Sequence, residues 1–372
     1  MSNSISFVAG MIPDLTKVYD VCILSSPGEY WNCLDRYGSR VRRIEVAMER
    51  HISPLRDVKA LVKLIRVFRR EKPIMVHSMT PKAGLLSMVA AWVCRIPVRV
   101  HTFTGLVFPT ATGLTRKILI LTDRITCACA THIIPEGEGV KRDLLENGIT
   151  DKPIKVLGHG SCQGINLDYF SRHLDLMSKT RYNRVDGIFT FIAIGRVVGD
   201  KGINELVAAF KRLNIELQNT RLLLVGRFEP DLDPILQETK REIMENPAIE
   251  AVGHQKDIRT WLLASDCAVL ASYREGFPNV VIEAGAMGLP QIVTNINGAN
   301  EIIKEGINGT IIPSKSYEAL YDAMKRMVLD TEWRETMAKN ARELISSRYE
   351  DKFVRHCLYE FYDEILGDKP IK

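Results

Sequence analysis

No apolar run in this 372-residue chain approaches the roughly 18 to 20 residues that a membrane-spanning helix requires, and the longest, Gly84 to Cys94, stops at Arg95. A transmembrane protein is therefore not expected. Met1 to Ala9 lack a basic stretch ahead of a long apolar core, so no secretory signal is expected either. Zinc-ligand spacing is missing too: of the eight cysteines only Cys127 and Cys129 lie close together, with no second pair. Such scattered cysteines fit a reducing cytoplasm. Neither a repeat of solenoid period nor a low-complexity tract occurs. Charge of one sign is not in large excess, since 50 Lys and Arg against 45 Asp and Glu leave a net +5. That is too small and dispersed for a nucleic-acid binder, though compatible with phosphates or acidic lipid. What is present is an ordinary globular composition, 46% hydrophobic and 26% charged, which excludes disorder, collagen and coiled coil. The length predicts two domains.

Short β-branched apolar runs alternate with segments of helical period, the pattern of parallel βαβ units with helices on both sheet faces. Strands are expected near Val21–Leu24, Val41–Val46, Ile74–His77, Val98–Phe103, His132–Pro135 and Ile154–Leu157. Pro54–Arg70 and Lys82–Cys94 read as crossover helices, each with a proline where a helix can start. The second half repeats the scheme with strands at Phe189–Ile194, Arg221–Val225, Ile249–Val252, Cys267–Ala271, Gln291–Thr294 and Thr310–Ile312. The fold class expected is α/β, two Rossmann-like doubly wound parallel-sheet domains facing across a cleft. The expected division is residues 1–165, then 166–345, then a helix over 346–372 packing back on the first domain. The segment from Tyr317 to Leu366 is helical throughout by pattern.

The most informative stretch is Arg274-Glu275-Gly276-Phe277-Pro278-Asn279-Val280-Val281-Ile282-Glu283-Ala284, followed by Gly288-Leu289-Pro290, Gly298 and Glu301. It follows a predicted strand and opens a helix. Asn279 is expected as the N-cap, and the amides of the next turn make an anion site. Glu283, expected in the first helical turn, can accept two hydrogen bonds from a ribose diol, whereas Glu275 lies in the preceding loop. By spacing alone the two glutamates also read as a helix-dipole partner and a solvated loop residue.

The Glu-x7-Glu element, with Gly-Phe-Pro-Asn inside it and Gly-x-Pro after it, resembles the signature of family 4 retaining glycosyltransferases, which have the GT-B fold. Gly195-Arg196 followed by Lys201-Gly202 is similar to that family's donor-diphosphate clamp. The first half resembles the branch that builds capsular and O-antigen polysaccharides. The segments that carry this are Met48 to Pro54, His77-Ser78-Met79-Thr80-Pro81-Lys82-Ala83-Gly84, His101-Thr102-Phe103-Thr104-Gly105 and Gly158-His159-Gly160-Ser161.

The resemblance implies a cytoplasmic enzyme with peripheral contact at the inner membrane face. It would move a hexose or N-acetylhexosamine from a nucleotide sugar, UDP-linked by preference, to a polyprenyl-diphosphate-linked glycan. No cofactor and no metal are implied. Carried over by position, Arg196 and Lys201 hold the donor diphosphate and Glu275 a sugar hydroxyl, these three being the catalytic set. Glu283 takes the ribose, and Gly195, Gly276, Phe277, Pro278, Asn279 and Val280 complete the donor site. Acceptor-side candidates are Gly10, His77, Lys82, His101, Thr104 and Gly105. In this first, acceptor-binding domain, Thr104 stands where many relatives carry a histidine, and the first strand is expected to be shortened or missing. Two other readings stay open: a sugar-nucleotide 2-epimerase of the same architecture, and a truncated non-catalytic binder of nucleotide sugar.

Three further features read as structural or peripheral. Asp231-Leu232-Asp233 suits a turn and a helix start better than a cation site. Gly158-His159-Gly160 lacks the spacing of a dinucleotide loop. Arg95, Arg99, Arg116, Lys117 and Arg124 flank apolar segments and could form a basic rim for a diphosphate-linked lipid.

Overall fold

The computed structural model describes residues 8–26, 29–48, 53–173, 176, 184–229 and 233–367. The chain divides into two compact units: residues up to Gln163 together with those from Phe353 onward, and the intervening Gly164–Lys352. The expected boundary at 345/346 falls inside a continuous helix, Thr331–Tyr349, and the division comes at 352/353 instead. Apolar residues of that helix keep one period through Ile345 and Tyr349, both fully buried, so the helix cannot be cut there.

The first unit opens with α1 (Ile12–Val18) and β1 (Val21–Ser25), which pairs parallel with β2 (Val41–Glu45). Residues 1–7, where the shortened first strand was expected, lie outside the described set. A second parallel sheet runs β3 (Met75–Met79), β4 (Val98–Phe103), β5 (His132–Pro135). Parallel strands need crossovers. They are α2 (Pro54–Glu71), α3 (Pro81–Val93) and α4 (Gly113–Cys129), with α5 (Glu138–Glu146) after β5. Pro54 pre-sets the helical φ at the start of α2, which buries Ala60, Leu64, Val67 and Phe68 along one stripe. The segment Ile154–Leu157 is not a strand: it makes one bridge, Ile133 to Ile154. Pro153 just before it has no amide to donate, so a ladder cannot build from that side.

The second unit carries six parallel strands in the order β11–β10–β9–β6–β7–β8. They are β6 (Phe189–Ile194), β7 (Thr220–Val225), β8 (Ile249–Gly253), β9 (Cys267–Leu270), β10 (Gln291–Thr294) and β11 (Gly309–Ile312). Central strands covered on both faces need apolar residues at successive positions, and Cys267–Leu270 and Gln291–Thr294 are buried at every position. The helices are α6 (Ile203–Glu216), α7 (Gln237–Glu245), α8 (Arg259–Leu263), α9 (Asn279–Ala286), α10 (Ala299–Ile302), α11 (Tyr317–Leu329) and α12 (Thr331–Tyr349).

The stretch from Tyr317 to Leu366, expected to be helical throughout, is so and divides into three helices. Asp330 ends α11 and caps α12, its carboxylate accepting from the Trp333 amide at 3.2 Å. The last helix, α13 (Asp351–Leu366), places Leu358, Phe361, Tyr362 and Leu366 in one cluster with Met11, Val100 and Ile134 of the first unit. Among the described residues no helix is long and apolar enough to cross a membrane.

Candidate active site

In the second unit the segments after β6 and β9 are brought together by a close backbone approach. Gly202 has φ +66°, and a Cβ there would stand 2.1 Å from the Ala271 carbonyl oxygen. Only glycine combines that left-handed conformation with that contact. The approach sets Lys201 beside Glu275, and the two form an ion pair with side chains about one-fifth exposed, 19% and 20%. Ser272 Oγ donates to the same carboxylate at 2.9 Å.

Around this pair lies a second set of charges. Arg196 reaches Glu229 at 3.3 Å and Asp200 at 3.9 Å, while Arg274 reaches the other Asp200 oxygen at 3.2 Å. Asp200 thus links the loop after β6 to the loop after β9, a tie strengthened by the Tyr273 amide donating to the Asp200 carbonyl at 2.9 Å. Three cations and three carboxylates therefore meet here. Guanidinium and ammonium donors are thus held in orientation by carboxylates, an arrangement chemically suited to a phosphate group.

Helix α9 begins at this place. Its N-cap is Pro278, in extended conformation, with Asn279 at the first helical position instead of the expected cap. Proline has no amide to satisfy, so it can stand at the cap and leave the following amides as donors. Glu283 sits in the second turn, not the first. Among the described residues its carboxylate has no hydrogen-bond or ion-pair partner. Burial pushes its pKa up to about 7. Phe277 is a core side chain, 5% exposed and edge-on to Tyr349 at 5.6 Å, so only its backbone is offered to a ligand.

The acceptor-side candidates of the first unit do not converge. His101 is 1% exposed: its Nδ1 pairs with Ser78 Oγ at 2.8 Å and its ring lies against Gly84, where a Cβ would come within 2.2 Å. It is a core histidine, its pKa pushed down to about 3 mainly by desolvation. Lys82 is engaged by Asp57 at 2.8 Å. The Gly10 carbonyl accepts from Arg355 at 3.3 Å. Thr104 and Gly105, the latter with φ +118°, lie half-buried just beyond the end of β4. His77 lines a cavity of about 20 Å³, room for one water, with Thr102, Glu136 and Cys162, closed by Val354 and Leu358 of α13. Its Nδ1 lies 2.5 Å from the Tyr362 hydroxyl and its Nε2 2.7 Å from Thr102 Oγ1, and burial lowers its pKa to about 4. A neutral imidazole with both nitrogens engaged has no proton to exchange with a ligand.

Asp233, from the Asp-Leu-Asp turn, accepts from the Asp200 amide, and Asp231 lies outside the described residues. Among the described residues no group of three or more His, Cys, Asp and Glu could hold a metal ion. Sequence reasoning missed Asp200, Glu229 and Ser272, and gave Arg274, the first residue of the most informative stretch, no role of its own. A carboxylate four residues after Arg196 and next to Lys201 was the available signal for Asp200.

Two parallel α/β units, the second with a cation cluster at a helix start after its strands, have the make-up of a two-domain Rossmann-like protein. Comparison with known proteins agrees. Residues 16–160 match the glycosyl transferase 4-like domain and residues 178–344 the group 1 glycosyl transferases. The chain is 31% identical over 370 residues to the capsular polysaccharide biosynthesis glycosyltransferase CapM of Staphylococcus aureus, covering 99% of this chain and 96% of that one. It is 28% identical over 303 residues to an Escherichia coli UDP-Gal:alpha-D-GlcNAc-diphosphoundecaprenol alpha-1,3-galactosyltransferase, covering 80% and 76%. Anabaena HepE, solved with UDP and glucose, superimposes with a TM-score of 0.80 at 18% identity over 96% of this chain and 95% of its own. The chain belongs to the group 1, family 4 glycosyltransferases.

Proposed function

We propose that this enzyme moves a hexose or N-acetylhexosamine from a UDP-sugar to a polyprenyl-diphosphate-linked glycan in capsular or other surface-polysaccharide assembly, with retention and without a metal. The observation that carries the reading is the Lys201–Glu275 pair with Arg196 and Arg274 beside it at the start of α9. Arg196 and Lys201 bind the donor diphosphate, assisted by backbone donors from Gly195 and from Gly276 to Val280. Glu275 takes a sugar hydroxyl and Glu283 the ribose.

The bond from the anomeric carbon to the β-phosphate oxygen breaks as the acceptor oxygen bonds the same face. The acceptor proton passes to the leaving phosphate. The cations offset the charge that builds on the diphosphate, so no side-chain nucleophile is required. The likeness to CapM and to an enzyme named for a diphosphoundecaprenol substrate supports the acceptor class. A nucleotide-sugar donor together with a lipid-linked acceptor supports a cytoplasmic enzyme in peripheral contact with the inner membrane face.

Calorimetric titration with UDP-sugars and GDP-sugars in the absence of metal tests the donor half of this reading. A UDP-sugar is expected to bind, with affinity at least about tenfold weaker in Lys201→Ala and in Glu283→Ala, the loss of one charge-assisted contact each. A folded protein that binds neither nucleotide sugar overturns it.

The Glu283 carboxyl adds a pH signature. Ribose hydroxyls donate to the ionised form, so nucleotide affinity should rise as pH passes upward through about 7, by about tenfold between pH 6 and pH 8. The folded pKa lies above the ordinary carboxylate value, so the contribution of Glu283 to stability is fully present below that ordinary value. That contribution is lost as pH rises through about 7. Glu283→Gln should flatten the binding profile and remove only its own share of the stability profile, since burial also raises Asp123 to about 7; an unchanged pH dependence of binding in that variant removes Glu283 from the ribose site.

A further inference from the structure

We propose that the outward face of α2 (Pro54–Glu71) is a docking surface for an anionic lipid bilayer. The inference deepens the functional reading by naming where the enzyme meets the membrane, and it rests on that reading only for the partner's setting.

This helix is strongly basic. Its sequence holds six Lys and Arg against two carboxylates, a net +4 within 18 residues. Both carboxylates are already spent. Asp57 holds Lys82, and Glu71 is bound by Arg42 and by Arg70. Lys59, Lys63, Arg66 and Arg69 are exposed and have no ion-pair or hydrogen-bond partner among the described residues.

Between these cations stand aliphatic side chains that the fold does not use. Leu55 is 81% exposed, Val58 58% and Val62 39%. Positions 55, 58, 59, 62, 63, 66 and 69 recur at three- and four-residue spacing, so they share one face. The opposite stripe, Ala60, Leu64, Val67 and Phe68, is the one buried in the core. A helix that is merely solvated on its outer side gains nothing from three aliphatic residues among its cations. At a bilayer surface both kinds are satisfied: the aliphatic side chains enter the headgroup boundary, and the basic ends reach anionic lipid while their stems lie along it. Nucleic acid would satisfy the cations but leave Leu55, Val58 and Val62 in water.

The basic rim expected around α4 is a weaker candidate. Arg99 is bound to the Cys129 and Ile96 carbonyls, Arg116 to Asn147 at 2.7 Å, and Arg124 to the Gly148 carbonyl at 2.9 Å. Those three guanidinium groups are held by neighbouring carbonyl and amide oxygens of the unit, Arg124 at an exposed position.

The test uses the full chain with vesicles of phosphatidylcholine, alone or containing phosphatidylglycerol. Wild type is expected to sediment with the anionic vesicles only, and less as salt shortens the Debye length below its value of about 10 Å at 0.1 M. The triple variant K59E/K63E/R66E should lower the partition coefficient at least about a hundredfold. L55S/V58S/V62S should lower it about tenfold or more. All six side chains are exposed or near the surface, so melting temperature and UDP-sugar binding should stay as in wild type. Three results overturn the proposal: no wild-type binding to anionic vesicles, equal binding by the charge-reversal variant, or binding to duplex DNA with none to vesicles. UDP-sugar calorimetry on the same preparations separates these from failure of the functional reading. A protein that binds nucleotide sugar but not vesicles loses the docking surface alone.

Discussion

Replacing Lys201 by alanine is expected to cut turnover by about a thousandfold while leaving the second unit folded. One preorganised donor aimed at developing charge contributes about 10² to 10³ in rate. Here the loss extends beyond that donor, because Glu275 would keep only the Ser272 hydroxyl as its partner. Its bare carboxylate would then face the incoming diphosphate with the wrong sign. Lys201→Arg is the informative companion. It restores the charge but presents a planar fork in place of a compact ammonium, so it should recover part of the rate and not all. Glu275→Gln in the alanine background should relieve the repulsion and improve donor affinity without restoring turnover. Initial rates, donor affinity and thermal melting on the three variants decide the matter. A Lys201→Ala enzyme with near-normal turnover would remove Lys201 from the reaction.

Gly202→Val carries the second large effect, this time on stability. The position needs a left-handed backbone, which costs a non-glycine residue about 1 to 2 kcal/mol. A Cβ would also stand 2.1 Å from the Ala271 carbonyl oxygen and 2.9 Å from the Ala271 Cβ, so two backbone segments must part. Together these should destabilise the second unit by about 3 to 5 kcal/mol, the range of overpacking and strain combined. Gly306→Ala isolates the conformational part: it has φ +70° with nothing within 4 Å of a built Cβ. That control should lose only about 1 to 2 kcal/mol. Chemical unfolding followed by far-ultraviolet circular dichroism measures both. Equal losses in the two variants would show that the contact with Ala271 is soft.

Strands of the second unit were legible where apolar residues follow one another. Phe189–Ile194 and Cys267–Leu270 are predominantly apolar runs. Ile154–Leu157 has the same look but only one bridge, since the proline before it removes a donor that periodicity does not register. Three-dimensional packing also overrode local pattern at His101. Its strand-end position reads equally as site or core until Gly84, 17 residues away, proves to be the space its ring fills.

For the site, the cation pattern after β6 and the glutamates around α9 were visible. The bond between Lys201 and Glu275 spans 74 residues, and local sequence does not encode it. Asp200 was overlooked because an acid between two cations looks like surface balance. Its role as the tie between two loops exists only once Gly202 lets them touch. The outer face of α2 escaped notice for a related reason: a crossover helix is read for the stripe it buries, and the residues left over are taken as solvated.

The return of α13 to the first unit bears on how the protein is made. Leu358, Phe361 and Tyr362 fill a cluster with Met11, Val100 and Ile134, and Tyr362 bonds His77. Those partners leave the ribosome long before α13 does, with all of Gly164–Lys352 synthesised in between. At about 5 to 20 residues per second, that interval lasts roughly ten to forty seconds. The second unit is contiguous and can close as it emerges. The first, although translated first, waits with an open apolar surface until α13 has emerged, and in that interval it is the part of the nascent chain open to a chaperone.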